Sequence, residues 1–193
     1  MGAEVTVEQA IDRVLAGDAG AFRHIVAAYE GRLLSFCRSR LGSEDEARDA
    51  AQDVLVRAWS ALPGFQRGKS FSAWLFAIAA NRVRSEFRFQ SFARRKTEAA
   101  GKELAALPPA DPAEEVADRL RFEELRQAVA TLKGELRSTV ELFYFGGLSV
   151  SETSTALGIG EEAVKSRLFR ARKQLREMLE KTQPKGLSRS NLS

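Results

Sequence analysis

The sequence predicts an all-α protein built as two small helical domains joined by a flexible linker. Three observations predict it. Apolar residues recur at spacings of three and four along nearly every segment that is not rich in Pro or Gly. The composition breaks between about Thr97 and Asp118, where Pro108, Pro109 and Pro112 stand among alanines with little apolar periodicity. Near the C-terminus a short helix, a glycine-bearing turn and a basic helix follow one another, the pattern of a helix-turn-helix. The 193 residues suffice for two small domains, and 44% hydrophobic with 29% charged residues suits a buried core under a charged surface.

The helices can be justified in order. Thr6 and Gln9 form a capping box that opens a short helix ending near Gly17. Asp18 is placed to cap a second helix running to about Leu41. Ser43-Glu-Asp-Glu46 is a further capping box, opening a third helix to about Ala61. Pro63, Gly64 and Gly68 make residues 62–69 a loop. Ser70 then caps a long helix with Phe71, Trp74, Leu75 and Ile78 on one stripe, and Trp59 and Trp74 read as core residues. Beyond the linker come helices from about Arg119 to Leu132 and from Glu135 to Phe145. Ser149 and Glu152 form the capping box of a short helix to Leu157, Gly158-Ile159-Gly160 supplies the turn, and a long helix begins near Glu161. The polar tail from Gln183 reads as disordered. These bounds divide the chain into residues 1–96, a linker 97–118, residues 119–182 and a tail 183–193.

Charge is distributed unevenly although the net charge is only +4. Arg82, Arg84, Arg88, Arg94, Arg95 and Lys96 face a single acid, Glu86; Lys165, Arg167, Arg170, Arg172, Lys173 and Arg176 face none within their stretch. The third helix is acidic, with Glu44, Asp45, Glu46, Asp49 and Asp53. Basic patches suit a polyanion, and an acidic one suits a basic protein surface. On the last helix, Val164, Leu168, Ala171, Leu175 and Met178 share one face, while Lys165, Ser166, Phe169, Arg170 and Lys173 share the other. A phenylalanine among exposed cations stabilises nothing in water but can pack on bases or sugars. Lysine and arginine read guanine edges in a major groove that admits one helix. Arg167, Arg172 and Arg176 flank that face, where phosphates lie.

Other classes of function are disfavoured by what the sequence lacks. His24 is the single histidine, placed as a partly exposed helical residue, and there is neither a phosphate-cradling glycine loop nor a metal-ligand cluster. The chain therefore reads as a non-enzyme with no cofactor, no metal and no small-molecule substrate. Cys37 is alone, so no internal disulfide forms, and its neighbours Leu33, Leu34 and Phe36 mark a buried thiol. No signal peptide and no apolar run of about 20 residues are seen, which predicts a cytoplasmic protein without membrane insertion.

At this point both halves resemble one family. Glu161-Glu-Ala-Val-Lys-Ser-Arg-Leu-Phe-Arg-Ala-Arg-Lys-Gln-Leu175 resembles the region 4 recognition helix of extracytoplasmic-function (ECF) sigma factors. Ala47-Arg-Asp-Ala-Ala-Gln-Asp-Val-Leu-Val-Arg-Ala-Trp59 is similar to the family's region 2.2 helix, and Phe71-Ser-Ala-Trp-Leu-Phe-Ala-Ile-Ala-Ala-Asn-Arg82 to its region 2.3–2.4 helix. The resemblance implies a bacterial promoter-recognition subunit. Asp49, Gln52, Asp53 and Arg57 would contact the clamp helices of core RNA polymerase. Phe65, Gln66, Arg67, Lys69 and Asn81 would capture the melted −10 element, with a flipped base in a pocket formed by the 62–70 loop and Asn81. Arg82, Arg84 and Arg88 would hold the adjacent phosphates. Lys165, Ser166, Arg167, Phe169, Arg170 and Lys173 would meet the double-stranded −35 element. The family also implies an anti-sigma partner. The chain departs from the family's pattern at Lys133-Gly134, where Leu-Pro is usual before the helices, at Thr153-Ser154, where Ile-Ala is usual, and at Ser85, where aspartate is common. An alternative is a sigma-like mimic that titrates an anti-sigma factor. Such a decoy has no use for Lys165, Arg167, Arg170 and Arg172.

Overall fold

The computed structural model describes residues 5–41, 43–97 and 123–182. The expected linker and tail lie outside the described residues. Helix α1 (Val7–Leu15) opens on the capping box of Thr6 and Gln9. Its apolar side presents Ala10 and Ile11 to the core. A 3-10 turn, Ala19–Ala21, leads into α2 (Phe22–Arg40). Asp18 stands at the N-cap of this 3-10 turn and not of α2 itself, which starts four residues later, and its carboxylate is held chiefly by Arg13 (2.6 Å). Helix α3 (Glu44–Ala61) begins with the Glu46 amide donating to the Ser43 hydroxyl (3.5 Å). A 3-10 turn at Leu62–Gly64 ends in the loop before α4 (Phe71–Thr97), whose Ala73 amide donates to the Ser70 hydroxyl (3.2 Å).

In the second half, α5 spans 123–130 and α6 spans Gly134–Val140. The expected helix to Phe145 is present, but Glu141–Phe145 is wound as one π turn, with the Gly146 amide donating to the Glu141 carbonyl (2.8 Å). Helix α7 (Val150–Leu157) carries the full capping box of Ser149 and Glu152 and ends at Gly158, whose φ of 66° suits glycine. Helix α8 (Glu161–Thr182) completes the helix-turn-helix.

Two cores form. The larger joins α1 to α4 around Ile25, Leu33, Phe36, Cys37, Val54, Leu62, Leu75 and Phe76. The smaller joins α5, α6 and α8 around Val129, Leu136, Val140, Val164, Leu168 and Ala171. Trp74 packs against the larger core as expected, but Trp59 does not belong inside: it is 40% exposed and meets Phe22 at the core's edge, ring centroids 5.0 Å apart.

The two halves also pack on each other. Leu142 and Leu148 are buried in the larger core, not the smaller one. Gly146 makes this approach possible, because a Cβ there would lie 2.9 Å from Phe76 Cε1 and 2.6 Å from the Leu142 carbonyl oxygen. Arg32 lies over the rings of Tyr29 and Phe76 and donates through Nε to the Gly146 carbonyl and through Nη2 to the Gly147 carbonyl, both at 2.9 Å.

Candidate nucleic-acid and protein interfaces

Helix α8 is held by one face only. Val164, Leu168 and Ala171 are at most 2% exposed, with Leu175 and Met178 packed beside them. The opposite face therefore projects from the molecule, and Lys165, Ser166, Phe169, Arg170 and Lys173 are all exposed on it. Phe169 is 68% exposed, the most exposed of the large hydrophobics named for the described residues. Lys165 Nζ donates to Glu162 (2.7 Å), and that hydrogen bond, aided by the carboxylate charge, raises its pKa and keeps it cationic. Arg167 is more enclosed than the reading face: it pairs with Glu135 of α6 (3.0 Å). This places it at the helix flank, where a phosphate contact must compete with a carboxylate. Arg172 donates to the Leu168 carbonyl (3.3 Å).

The residues expected at a second nucleic-acid site fall into two groups. Phe65 is held in an aromatic cluster, with centroids 5.4 Å from Phe71 and 5.2 Å from Trp74. Gln66, Arg67 and Lys69 beside it are exposed, and Arg67 pairs with Asp12 of α1 (3.0 Å). Asn81 lies ten residues beyond Phe71 on α4, about 15 Å along the axis at 1.5 Å per residue. It lines an open groove of about 580 Å³ between α3 and α4, together with Asp53, Arg57, Ile78 and Arg82. Phe65 is not among the walls of that groove. Asn81 Oδ1 accepts from Arg84 Nη1 (3.0 Å). The side chain of Arg88 lies outside the described residues.

The outer face of α3 presents Asp49, Gln52 and Arg57 to solvent. Asp53 differs from them. It accepts from Arg57 (3.1 Å) and from Arg82 on α4 (2.5 Å). The Arg57 hydrogen bond, then that of Arg82, outweighs the opposing effect of burial and lowers the Asp53 pKa. An expected protein-contact residue and an expected phosphate-contact residue are thus joined to each other. Two residues of this face were not anticipated. Val56, 63% exposed, stands three residues from Asp53 and four from Gln52, and Trp59 follows one turn later. Nothing in the local sequence distinguishes these from core positions, because their exposure depends on the side from which α2 and α4 cover α3.

Among the described residues no group of three or more His, Cys, Asp or Glu side chains could hold a metal ion, and no helix is long and apolar enough to cross a membrane. Cys37 is fully buried, and that burial pushes its thiol pKa up to about 12 against the opposing charge of Arg82.

Comparison with known proteins places both halves of the chain in one family. The family model for Sigma-70 region 2 matches residues 25–93, and that for Sigma-70 region 4 matches residues 122–175. The chain is 34% identical to the RNA polymerase sigma factor NccH of Alcaligenes xylosoxydans xylosoxydans, over 92% of this chain and 97% of the relative. It is 29% identical to the ECF RNA polymerase sigma factor SigW of Bacillus subtilis, over 91% of this chain and 98% of the relative. Among solved structures, CnrH in complex with the cytosolic domain of CnrY superposes with a TM-score of 0.71 at 27% identity, covering 90% of this chain and 97% of that one.

Proposed function

The chain belongs to the ECF sigma factors of RNA polymerase, and from this premise we propose how its own faces divide the work of promoter recognition. The protein directs core polymerase to promoters and starts transcription there. It acts in the cytoplasm, catalyses no reaction itself and is controlled by an anti-sigma factor. Residues up to about 96 form the unit that meets polymerase and the −10 strand; residues 119–182 form the unit that meets the −35 duplex.

The observation that carries this reading is Phe169. A phenylalanine 68% exposed between Lys165, Ser166, Arg170 and Lys173 costs solubility and has no partner in the helix-turn-helix core. Apolar contact with thymine methyl groups or sugars, beside arginine and lysine reaching guanine, accounts for it. Arg167, Arg172 and Arg176 flank the groove and set register. On the other unit, Asp49, Gln52 and Arg57 with Val56 form a mixed face for the polymerase clamp helices. There the charges give orientation, and Val56 supplies area that loses water on contact. Asp53 supports this face and also anchors Arg82 in the groove where Asn81 can meet a base of the melted strand. Phe65 serves as an edge for stacking, backed by Phe71 and Trp74, with Gln66, Arg67 and Lys69 around it. Arg84 and Arg88 follow the strand's phosphates. Stacking on such a ring is worth ~1–3 kcal/mol per base.

Run-off transcription with purified core polymerase and a pool of genomic promoter fragments tests the reading. Discrete new transcripts that depend on the protein are expected. Asp49→Arg, at an exposed site, should abolish co-purification with core polymerase while leaving helical content intact. Unchanged co-purification would remove this face from the polymerase contact.

A further inference from the structure

We propose that Glu162 is a specificity-determining residue of the −35 reading face: together with Lys165 it recognises one G·C pair, its carboxylate accepting from the cytosine amino group while the ammonium meets the guanine. The inference rests on the function proposed above and deepens it at one residue. It starts from an oddity of charge. The reading face of α8 is cationic, yet a carboxylate stands in the middle of it. At about 100° per residue, positions 162, 166, 169 and 173 fall within one stripe roughly 60° wide. That stripe carries Glu162, Ser166, Phe169 and Lys173, all exposed, on the far side of the helix from the buried Val164 and Leu168. The Glu162 side chain is 87% exposed, so packing does not require a carboxylate there.

Two ordinary roles do not account for it. An acid in the first turn complements the helix dipole, but Glu161 already supplies one, and it lies off the stripe, on the flank that carries Arg172. An exposed pair three residues apart, as Glu162 makes with Lys165, stabilises a helix only slightly. Against that small gain, the carboxylate repels phosphates and offsets a lysine charge that would attract them, whatever the DNA sequence. A contact that only a base edge can make outweighs both effects. The N-terminal end of a recognition helix is the end that meets base edges, and Glu162 is the second residue of α8.

The pair has the dimensions of a base-pair edge. Lys165 Nζ donates to Glu162 Oε1 at 2.7 Å. Across a G·C pair the cytosine N4 amino group donates to guanine O6 over a similar distance, about 2.9 Å. Each of those atoms keeps one hydrogen-bonding position open in the major groove, N4 a hydrogen and O6 a lone pair. Laid along that edge, the ammonium meets guanine O6 and N7, and the carboxylate accepts from cytosine N4. A C·G pair reverses the order and sets ammonium against amino group and carboxylate against carbonyl. A T·A pair keeps the order but puts the thymine methyl group where Lys165 would meet N7. Ser166, Phe169 and Arg170 remain for the neighbouring base pairs.

The test is a selection with holoenzyme assembled from core polymerase and the full chain. A promoter found by run-off transcription keeps its −10 element and has its upstream element randomised, and the bound templates are sequenced for wild type, Glu162→Ala and Glu162→Gln. Both substitutions fall at an exposed site, and circular dichroism should show unchanged helical content. The wild type should select G·C over T·A at one pair. Glu162→Ala should lower that ratio roughly fivefold, the low end for a base contact. Glu162→Gln should move the preference at the same pair toward T·A, because an amide pairs with adenine N6 and N7. Selection at the other pairs should not change. A profile identical to wild type at every pair in both variants overturns the assignment of Glu162, even if affinity rises throughout, since a uniform rise means that the carboxylate only weakens attraction to phosphates. A wild type that selects no upstream sequence at all would instead count against −35 reading by α8, and the assignment would fall with that part of the proposed function.

Discussion

Thr153→Val should make this protein more stable. Thr153 is 0% exposed on α7, and its hydroxyl oxygen is buried without a hydrogen-bond partner. The site thus already encloses a β-branched side chain away from water. Valine keeps the branch and replaces the hydroxyl by a methyl group of similar size. The two residues have nearly equal helix propensity, so the backbone contributes almost nothing to the difference. What remains is relief of an unpaired buried hydroxyl, ~1–3 kcal/mol by mutational measures, reduced by whatever adjustment the extra hydrogens require. A gain of about 1–2 kcal/mol follows, or ~2–8 °C in Tm for a chain of this size. Equilibrium denaturation in guanidinium chloride should show a higher midpoint at unchanged slope. Thr139→Val is the matched control. Thr139 is also 0% exposed, but its hydroxyl donates to the Glu135 carbonyl (2.8 Å), so valine there should be neutral or cost up to ~1 kcal/mol. If Thr153→Val stabilises no more than Thr139→Val, the hydroxyl of Thr153 is satisfied and the reasoning fails.

Arg170→Ala should weaken transcription by ~1–3 kcal/mol, about 5- to 150-fold, only on promoters that depend on the upstream element. An equal loss on fork templates carrying the −10 element alone would show that Arg170 is not a base reader. Cys37 should resist alkylation in the folded chain at pH 8, reacting at a rate limited by unfolding, because its pKa is near 12 instead of the ordinary 9.0. The same shift carries a sign for stability. The folded chain holds this proton where the unfolded chain releases it, so the Cys37 contribution is intact below about 9 and is lost as pH rises toward about 12. A Cys37→Ala variant should lack that part of the alkaline loss.

The parts of the fold legible in the sequence were those decided within a few residues. The capping boxes of Thr6 with Gln9 and Ser149 with Glu152 close over three positions, and the two-faced pattern of α8 repeats over each turn. The structure places Lys165, Ser166, Phe169, Arg170 and Lys173 on one exposed face as that pattern requires. Where a residue's state depends on a distant element, local reading failed. Trp59 has the size of a core residue, but the neighbouring helices cover only one side of α3. Asp18 stands at a cap position, but Arg13, five residues earlier, holds most of its carboxylate. Glu141 looks like any helical acid, and its partner Arg40 lies 101 residues away. Asp53 and Arg82, 29 apart, were assigned to different partners and hold each other.

The same pairings explain how a chain with opposite charges on its two working faces avoids collapsing on itself indiscriminately. An acidic α3 and a basic α8 attract at long range, and screening at physiological salt reduces that attraction beyond about 8 Å. What survives is short-range and keyed. Asp53 is already neutralised by Arg57 and Arg82, Arg167 by Glu135, and Glu141 by Arg40 and Arg137. Among the charges without an ion pair in the described residues are Asp49 on one face and Arg170 and Lys173 on the other, with Val56 and Phe169 exposed among them. Each face therefore offers charge to steer a partner and one apolar side chain to reward close contact. The seam between the two halves joins ion pairs to the apolar packing of Leu142 and Leu148, while the faces leave Val56 and Phe169 in water until a partner covers them.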